Sequence, residues 1–322
     1  MGEQMIELKD LEFAGKNMQD SPLIRTPLIA LNMNTPGKKI YLKCENLQKF
    51  GSFKGRGAYH AITQLTEEQR AGGICGASAG NFAQGLGFMA NQLNVSCQML
   101  VPDYIPQTKL SRILELDVKI KKVPFTQWWD AILSRTYDGI GQSTFIHPCD
   151  YNVMAGHGTI GLEILEDLPD VDTVICPYGS GGLITGVSSA LKHHNKSIKV
   201  LACEPETATP LHVSLKAGKP LAFENHRSSF VDGMGGKNVL EEIWPYVSHL
   251  VDSSIVLSLE EIAEAIRILI NRNSLVTEGA GAAPLAAALS NKVPNGTIVC
   301  VLSGGNIDSN KLVTILNGQV PT

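Results

Sequence analysis

Four short segments of this chain carry residue types and spacings that could do chemistry. The first is Gly51-Ser52-Phe53-Lys54-Gly55-Arg56-Gly57. Ser52 is placed to cap a helix beginning at Phe53, which puts Lys54 in the first turn, at the positive end of the helix dipole. That position disfavours the ammonium, and a free lysine amine is a nucleophile suited to Schiff-base chemistry. The flanking glycines let a bulky ligand approach the backbone. Taken alone, the segment reads equally as a solvated lysine beside a turn. The second segment, Ser78-Ala79-Gly80-Asn81-Phe82, follows the run GGICGA and opens a helix. Small residues at a strand-to-helix turn present backbone N–H groups to an anion, here a carboxylate as readily as a phosphate. An ordinary loop capped by Ser or Asn is the plainer reading.

The third segment is Gly179-Ser180-Gly181-Gly182-Leu183, between the run DTVICP and the helical LITGVSSALKHH. Its glycines and serine suit an N–H-lined anion cradle. It is neither a Walker A sequence nor a full GxGxxG, since position 184 is Ile, so a phosphate cup for a cofactor smaller than a dinucleotide fits better. A tight turn that tolerates glycine is the alternative. The fourth, Ser303-Gly304-Gly305-Asn306, places a hydroxyl at the carboxyl end of the apolar run TIVCVL, the edge at which open α/β sheets bind ligands.

Positioning four such termini on one side requires strands alternating with helices. Short apolar runs predict strands at Lys39–Cys44, Gly73–Ala77, Ser96–Val101, Val118–Val123, Ser143–His147, Thr173–Cys176, Lys199–Cys203 and Thr297–Leu302. Helical periodicity predicts helices at Phe53–Leu65, Phe82–Leu93, Lys109–Leu116, Thr126–Asp138, Val153–Leu168, Leu183–His194, Ser258–Arg272 and Gly281–Leu289. Ser258 with Glu261 is a capping box. The alternation implies an α/β fold with parallel sheets covered by helices on both faces. The 322 residues allow about two domains at roughly 100–200 residues each. The Gly-rich stretch at 71–76 and the segment Pro148–Asn152 are plausible crossings between them.

Composition narrows the function. With 43% hydrophobic residues the chain can bury a core, which excludes a disordered protein. Lys and Arg total 27 against 31 acids, so no basic excess points to nucleic acid or an anionic membrane. No apolar run is long enough to span a bilayer, and the N-terminus lacks the apolar core of a signal peptide. The 7 cysteines show no CxxC spacing and sit in apolar runs, as reduced core thiols of a cytoplasmic protein would.

Together and in this order, the four segments resemble the fold type II family of pyridoxal 5′-phosphate (PLP) enzymes, in particular its serine/threonine dehydratase (ammonia-lyase) branch, which includes serine racemases. SFKGRG resembles the PLP-attachment signature, SAGNFAQG the substrate loop, GSGGL the phosphate loop and LSGGNID the strand end beside the cofactor. RTPL from Arg25, AGHGTIGLEIL from Ala155, CEPE from Cys203, VDGM from Val231 and TEGAGAAPLAA from Thr277 extend the resemblance over nearly the whole chain.

The resemblance implies a two-domain, tryptophan synthase β-like fold with twisted, parallel-rich sheets. A large PLP-binding domain would comprise 1–72 plus 149–322, with a small α/β domain, 73–148, inserted and the cofactor at the interface. It implies that Lys54 holds PLP covalently and moves the α-proton, and that Phe53 packs near the ring. Asn81 would bond the 3′-oxygen, and Gly179, Ser180, Gly181, Gly182 and Leu183 would bind the phosphate. Ser303 would face the pyridine nitrogen and Glu278 would lie near the cofactor. The substrate carboxylate would sit at Ser78, Ala79, Gly80 and Asn81. The implied activity is elimination on a 3-hydroxy amino acid, L-threonine or L-serine by default, giving a 2-oxo acid and ammonia, in a cytoplasmic homodimer. The cofactor phosphate is the implied acid for the leaving hydroxide. Other reactions on the same scaffold are β-replacement, a threonine synthase-like reaction and racemisation. A cofactor-binding regulatory relic is the non-enzymatic alternative.

Departures from the family pattern sharpen these expectations. Ala79 stands where racemases carry a second serine, so elimination without efficient racemisation is expected. Residue 55 is Gly where threonine synthases have Asp, which disfavours that branch. Phe82 replaces a usual histidine, which leaves substrate choice open, and His157 replaces a usual glutamine and reads as a helix-packing residue. Trp128 and Trp129, two of only 3 tryptophans, read as core or inter-domain packing. If one lines the pocket, phenylserine or hydroxyaspartate becomes a candidate substrate. Glu204 and Ala208 match a cation site of relatives, but position 210 is Pro rather than an acid. That weakens a Mg²⁺ or Mn²⁺ site and leaves a monovalent ion open. The chain ends soon after the LSGGN strand, so the C-terminal regulatory domain of biosynthetic threonine dehydratases is not expected.

Overall fold

The computed structural model describes residues 4–105 and 107–321. In chain order the elements are α1 (Leu8–Met18), β1 (Leu28–Ala30), β2 (Lys38–Lys43), α2 (Lys54–Thr63), α3 (Glu67–Gly72), β3 (Ile74–Ala77), α4 (Asn81–Gln92), β4 (Cys97–Pro102) and α5 (Gln107–Leu114). There follow β5 (Lys119–Val123), α6 (Phe125–Ser134), β6 (Thr144–Phe145), α7 (Tyr151–Asp167), β7 (Thr173–Pro177), α8 (Gly182–His194), β8 (Lys199–Pro205) and α9 (Pro210–Ala217). The chain closes with α10 (Trp244–Leu250), β9 (Ser253–Leu257), α11 (Leu259–Asn273), α12 (Gly279–Leu289), β10 (Gly296–Val301) and α13 (Ser309–Leu316).

Two sheets result. The larger has the order β1-β2-β10-β7-β8-β9 and the smaller β5-β4-β3-β6. Every pairing is parallel except β1 with β2. The central strands are buried on both faces, as their unbroken apolar runs require: every residue of β3 and β7 is buried. At the edge of the smaller sheet, β5 reads Lys-Ile-Lys-Lys-Val with only Val123 buried, a charged edge that resists pairing with another chain. The Ser258 capping box forms in full: Ser258 Oγ accepts from Glu261 N–H and Glu261 Oε2 accepts from Ser258 N–H. Among the described residues no helix is long and apolar enough to cross a membrane.

Several elements differ from the sequence expectation. β1 and β9 have no counterpart there, because one is three residues long and half-buried and the other mixes two serines into a short run. Helix α6 stops at Ser134, where Arg135 takes a left-handed φ of 57°, rather than running to 138. Ser52 does not cap a helix at Phe53. α2 begins at Lys54, and Ser52 instead joins a β-bridge to Gly304.

Candidate active site

The bridge between Ser52 and Gly304 brings the first and fourth segments together. Phe53 N–H donates to Ser303 O at 3.1 Å and Gly305 N–H to Gly51 O at 2.8 Å. These bonds tie the residues just before α2 to the end of β10. Glu278 joins the same corner, its N–H donating to Gly304 O at 3.1 Å. Backbone bonds thus join the segment before α2 to the end of β10, some 250 residues further on, and tie Glu278 to the same strand end.

One cleft of about 430 Å³ is lined by Phe53, Lys54, Ser78 through Phe82, Gly179 through Leu183, Glu278 and Ser303. Every residue the sequence singled out for cofactor or substrate carboxylate faces this space. Lys54 keeps a partial opening to the cleft and is otherwise surrounded by protein, with Nζ 4.5 Å from the Phe53 ring centroid and 5.8 Å from that of Phe82. Burial lowers its pKa to about 8, against smaller raising effects of Cys149 and Glu278. Burial thus favours the free amine, and the start of α2 at Lys54 keeps it at the positive end of the helix dipole. Helix α4 comes very close behind it. A Cβ on Gly85 would lie 2.9 Å from Lys54 Cβ and 3.0 Å from its carbonyl carbon.

Two helix N-termini open onto the cleft with no side-chain cap. α8 starts after Gly181, whose φ of +94° is a left-handed conformation natural to glycine. The N–H groups of Gly179, Ser180 and Gly181 donate to nothing among the described residues. Such N–H groups with a helix dipole behind them form an anion site. α4 starts after Gly80, also without a side-chain cap, so the plainer reading of the second segment is not met. Ser78 Oγ accepts from Gly80 N–H at 3.3 Å and so shapes this turn.

A polar chain holds Asn81. Its Nδ2 donates to Glu278 Oε1 at 2.7 Å, and its Oδ1 accepts from Asn306 Nδ2 at 2.8 Å. Asn306 Nδ2 also donates to Phe50 O at 2.9 Å. The second Nδ2 hydrogen of Asn81 keeps a donor for a ligand. Beneath α2, the buried Arg56 guanidinium bonds both oxygens of Glu45 and both of Glu163, and Lys43 bonds Glu163 from the other side. The Arg56 and Lys43 charges hold the Glu45 carboxyl below its usual range despite the opposing pull of burial. This cluster fixes the helix that carries Lys54.

The cleft also takes in residues beyond the four segments. Trp128 and Trp129, for which packing was the plainer reading and a pocket position the alternative, both line it, together with Ile132. His147 lines it too. Burial lowers its pKa to about 3, and Cys149 N–H donates to Nδ1 at 3.1 Å, which leaves the ring hydrogen on Nε2. The stretch from Asp232 through Asn238 lines the cleft as well, and its only signal in the sequence was the VDGM run. His157 is a packing residue as expected, its ring edge-on to Phe53 at 4.7 Å. Glu204 lies outside the cleft. Its oxygens accept from Leu211 and His212 N–H at 2.8 Å and from Ser254 Oγ, so it anchors the start of α9, while burial raises its pKa to about 7.

These residues fit pyridoxal phosphate. A desolvated lysine amine can take the aldehyde, unfilled N–H groups can take the phosphate, and the Ser303 hydroxyl offers a neutral partner for the ring nitrogen. Residues 20–304 match the family model described as pyridoxal-phosphate dependent enzyme. The chain is similar to the L-threonine ammonia-lyase of Thermotoga maritima, 39% identical over 97% of this chain and 79% of that protein. Among solved structures it is similar to the serine racemase of Dictyostelium discoideum, with a TM-score of 0.85, 31% identity and coverage of 94% of this chain and 99% of that one. It is also similar to the processed form of threonine deaminase isoform 2 of Solanum lycopersicum, with a TM-score of 0.86, 29% identity and coverage of 98% and 96%.

Proposed function

This chain belongs to the pyridoxal-phosphate dependent enzymes, and from that premise we propose that it is an ammonia-lyase converting a 3-hydroxy amino acid, L-threonine or L-serine in the first place, to a 2-oxo acid and ammonia by α,β-elimination. The observation that carries the proposal is a desolvated Lys54 amine in the same cleft as an unfilled N–H loop at 179–183 and a neutral Ser303. The threonine-directed names of similar proteins support the reaction class.

Bound through its aldehyde to Lys54, PLP supplies an electron sink for the charge left at Cα. The N–H groups of Gly179 through Leu183 would bind its phosphate, and Phe53 would pack near its ring. Asn81, held by Glu278 and Asn306, would present its remaining N–H to the ring oxygen. Ser78 and the open N-terminus of α4 would orient the substrate carboxylate. Lys54 Nζ would take the Cα proton. Its pKa of about 8 suits a base working near neutral pH. The Ser303 hydroxyl cannot hold the ring nitrogen protonated as a carboxylate would, which favours prompt expulsion of the β-hydroxyl over a long-lived carbanion. Ala79 offers no proton on the face opposite the lysine, which argues against racemisation.

In this reading residues 73–148 form a small domain inserted in a large one of 1–72 plus 149–322. The smaller sheet, drawn wholly from residues 74–145, supports the division. The protein would work as a cytoplasmic homodimer; its seven cysteines, all free and buried, suit a reducing compartment. The test is to incubate the holoenzyme with L-threonine and L-serine and follow ammonia and 2-oxo acid. Equal amounts of the two products are expected. A product that forms only when a nucleophile is added would overturn elimination in favour of replacement.

A further inference from the structure

The lining of the cleft includes an apolar group, Phe82 of α4 with Trp128, Trp129 and Ile132 of α6, and no side chain among these four is charged. Phe82 lies close to the chemistry, its ring centroid 5.8 Å from Lys54 Nζ. Trp128 packs on the small cluster that includes Ala77, the residue immediately before the Ser78 loop. The two indoles stand 6.4 Å apart at 44°, and both are only half-buried. They wall the space rather than fill it, since the cleft keeps about 430 Å³.

Resting on the lyase reading above, we propose that this aromatic wall receives the β-substituent of the substrate and that the enzyme takes 3-hydroxy amino acids bearing an aryl group, of the 3-phenylserine class, in preference to L-serine. A hydrogen or methyl at Cβ leaves most of the indole surface in water, whereas an aryl ring covers it and gains tilted aromatic contacts. An acidic substituent would find no cation on this wall. The reaction is the same elimination. The Cα–H and Cβ–O bonds break, Lys54 takes the Cα proton, one proton is returned to the leaving hydroxide so that water departs and Lys54 is restored, and a Cα=Cβ bond forms. Addition of one water to the released unsaturated amine gives the arylpyruvate and ammonia.

The test measures kcat/KM of the holoenzyme for L-threo-3-phenylserine, L-threonine and L-serine, reading ammonia in all three and phenylpyruvate in the first. The expected value for phenylserine is at least tenfold that for L-serine. Trp128→Ala and Trp129→Ala should each lower the phenylserine-to-threonine ratio tenfold or more, and Trp129→Phe should restore it to within threefold. The ratio is internal to each variant, and the visible cofactor band reports that each has folded. Ammonia from L-threonine with none from phenylserine, or a ratio unmoved by both alanine variants, overturns the aryl assignment and leaves the lyase reading intact. Ammonia from none of the three substrates overturns both.

Discussion

Replacing Lys54 by methionine isolates the cost of holding an ammonium in this cleft. Lys54 titrates near 8 in the folded chain against an ordinary 10.5, a difference of 2.5 units. At about 1.4 kcal/mol per unit, the folded state of the cofactor-free protein loses up to about 3 kcal/mol wherever Lys54 is charged in both states. Its partial opening to the cleft makes this an upper figure. The sign follows from the protons bound. Between pH 8 and 10.5 the unfolded chain holds the proton and the folded chain does not, so stability rises with pH across that window. Below pH 8 the penalty is present in full. Cofactor-free Lys54→Met lacks the penalty, so its stability advantage over cofactor-free wild type should be greatest below pH 8 and shrink by up to about 3 kcal/mol as pH approaches 10.5. Urea unfolding of both proteins at half-unit pH steps measures that difference. Packing differences between Met and Lys shift it by a constant and do not mimic its slope. A stability difference that stays flat from pH 7 to 10.5 would refute the argument that Lys54 is desolvated.

Other outcomes follow from the same geometry. Gly181→Ala forces a left-handed φ on alanine and sets its Cβ 2.5 Å from Ile243 Cγ2. PLP affinity should fall at least tenfold by equilibrium titration, with the fold retained by circular dichroism. Arg56→Met leaves the buried Glu45 without its main partner and should cost about 3–5 kcal/mol in thermal or urea unfolding. Because the Glu45 pKa is lowered in the folded state, its stabilisation is present above the ordinary carboxylate range and lost as pH falls through the folded value. The Arg56→Met deficit should therefore be largest near neutral pH and narrow in acid. Wild-type enzyme given L-serine should form pyruvate with no appreciable D-serine by chiral chromatography, and abundant D-serine would contradict the role given to Ala79.

Much of the site was legible because each chemical segment is local: a strand end, a few small residues and a helix start within half a dozen positions. Lys54, Asn81, the 179–183 loop and Ser303 all announce themselves in this way. What sequence could not show is how these segments are bonded to one another. Ser52 looked like a helix cap because its partner, Gly304, is 252 residues away. The burial that lowers the Lys54 pKa comes from tertiary packing and could not be read from its own segment. Trp128 and Trp129 looked like packing because neighbours on a helix point apart. The cleft nevertheless reaches both, with Trp128 packed on the Cys75, Ala77, Leu100 and Ala131 cluster and Trp129 stacked with Phe125. The edge strands β1 and β9 escaped notice because pairing at a sheet edge needs only a few half-buried residues, too few to show a period.

The central claim is tested most directly by reducing the purified holoenzyme with borohydride and mapping the pyridoxyl label by peptide mass spectrometry. The account predicts loss of the visible absorbance and a single pyridoxyl group on the peptide containing Lys54. A protein that binds no pyridoxal phosphate, or one labelled on a different lysine with Lys54 unmodified, would contradict it.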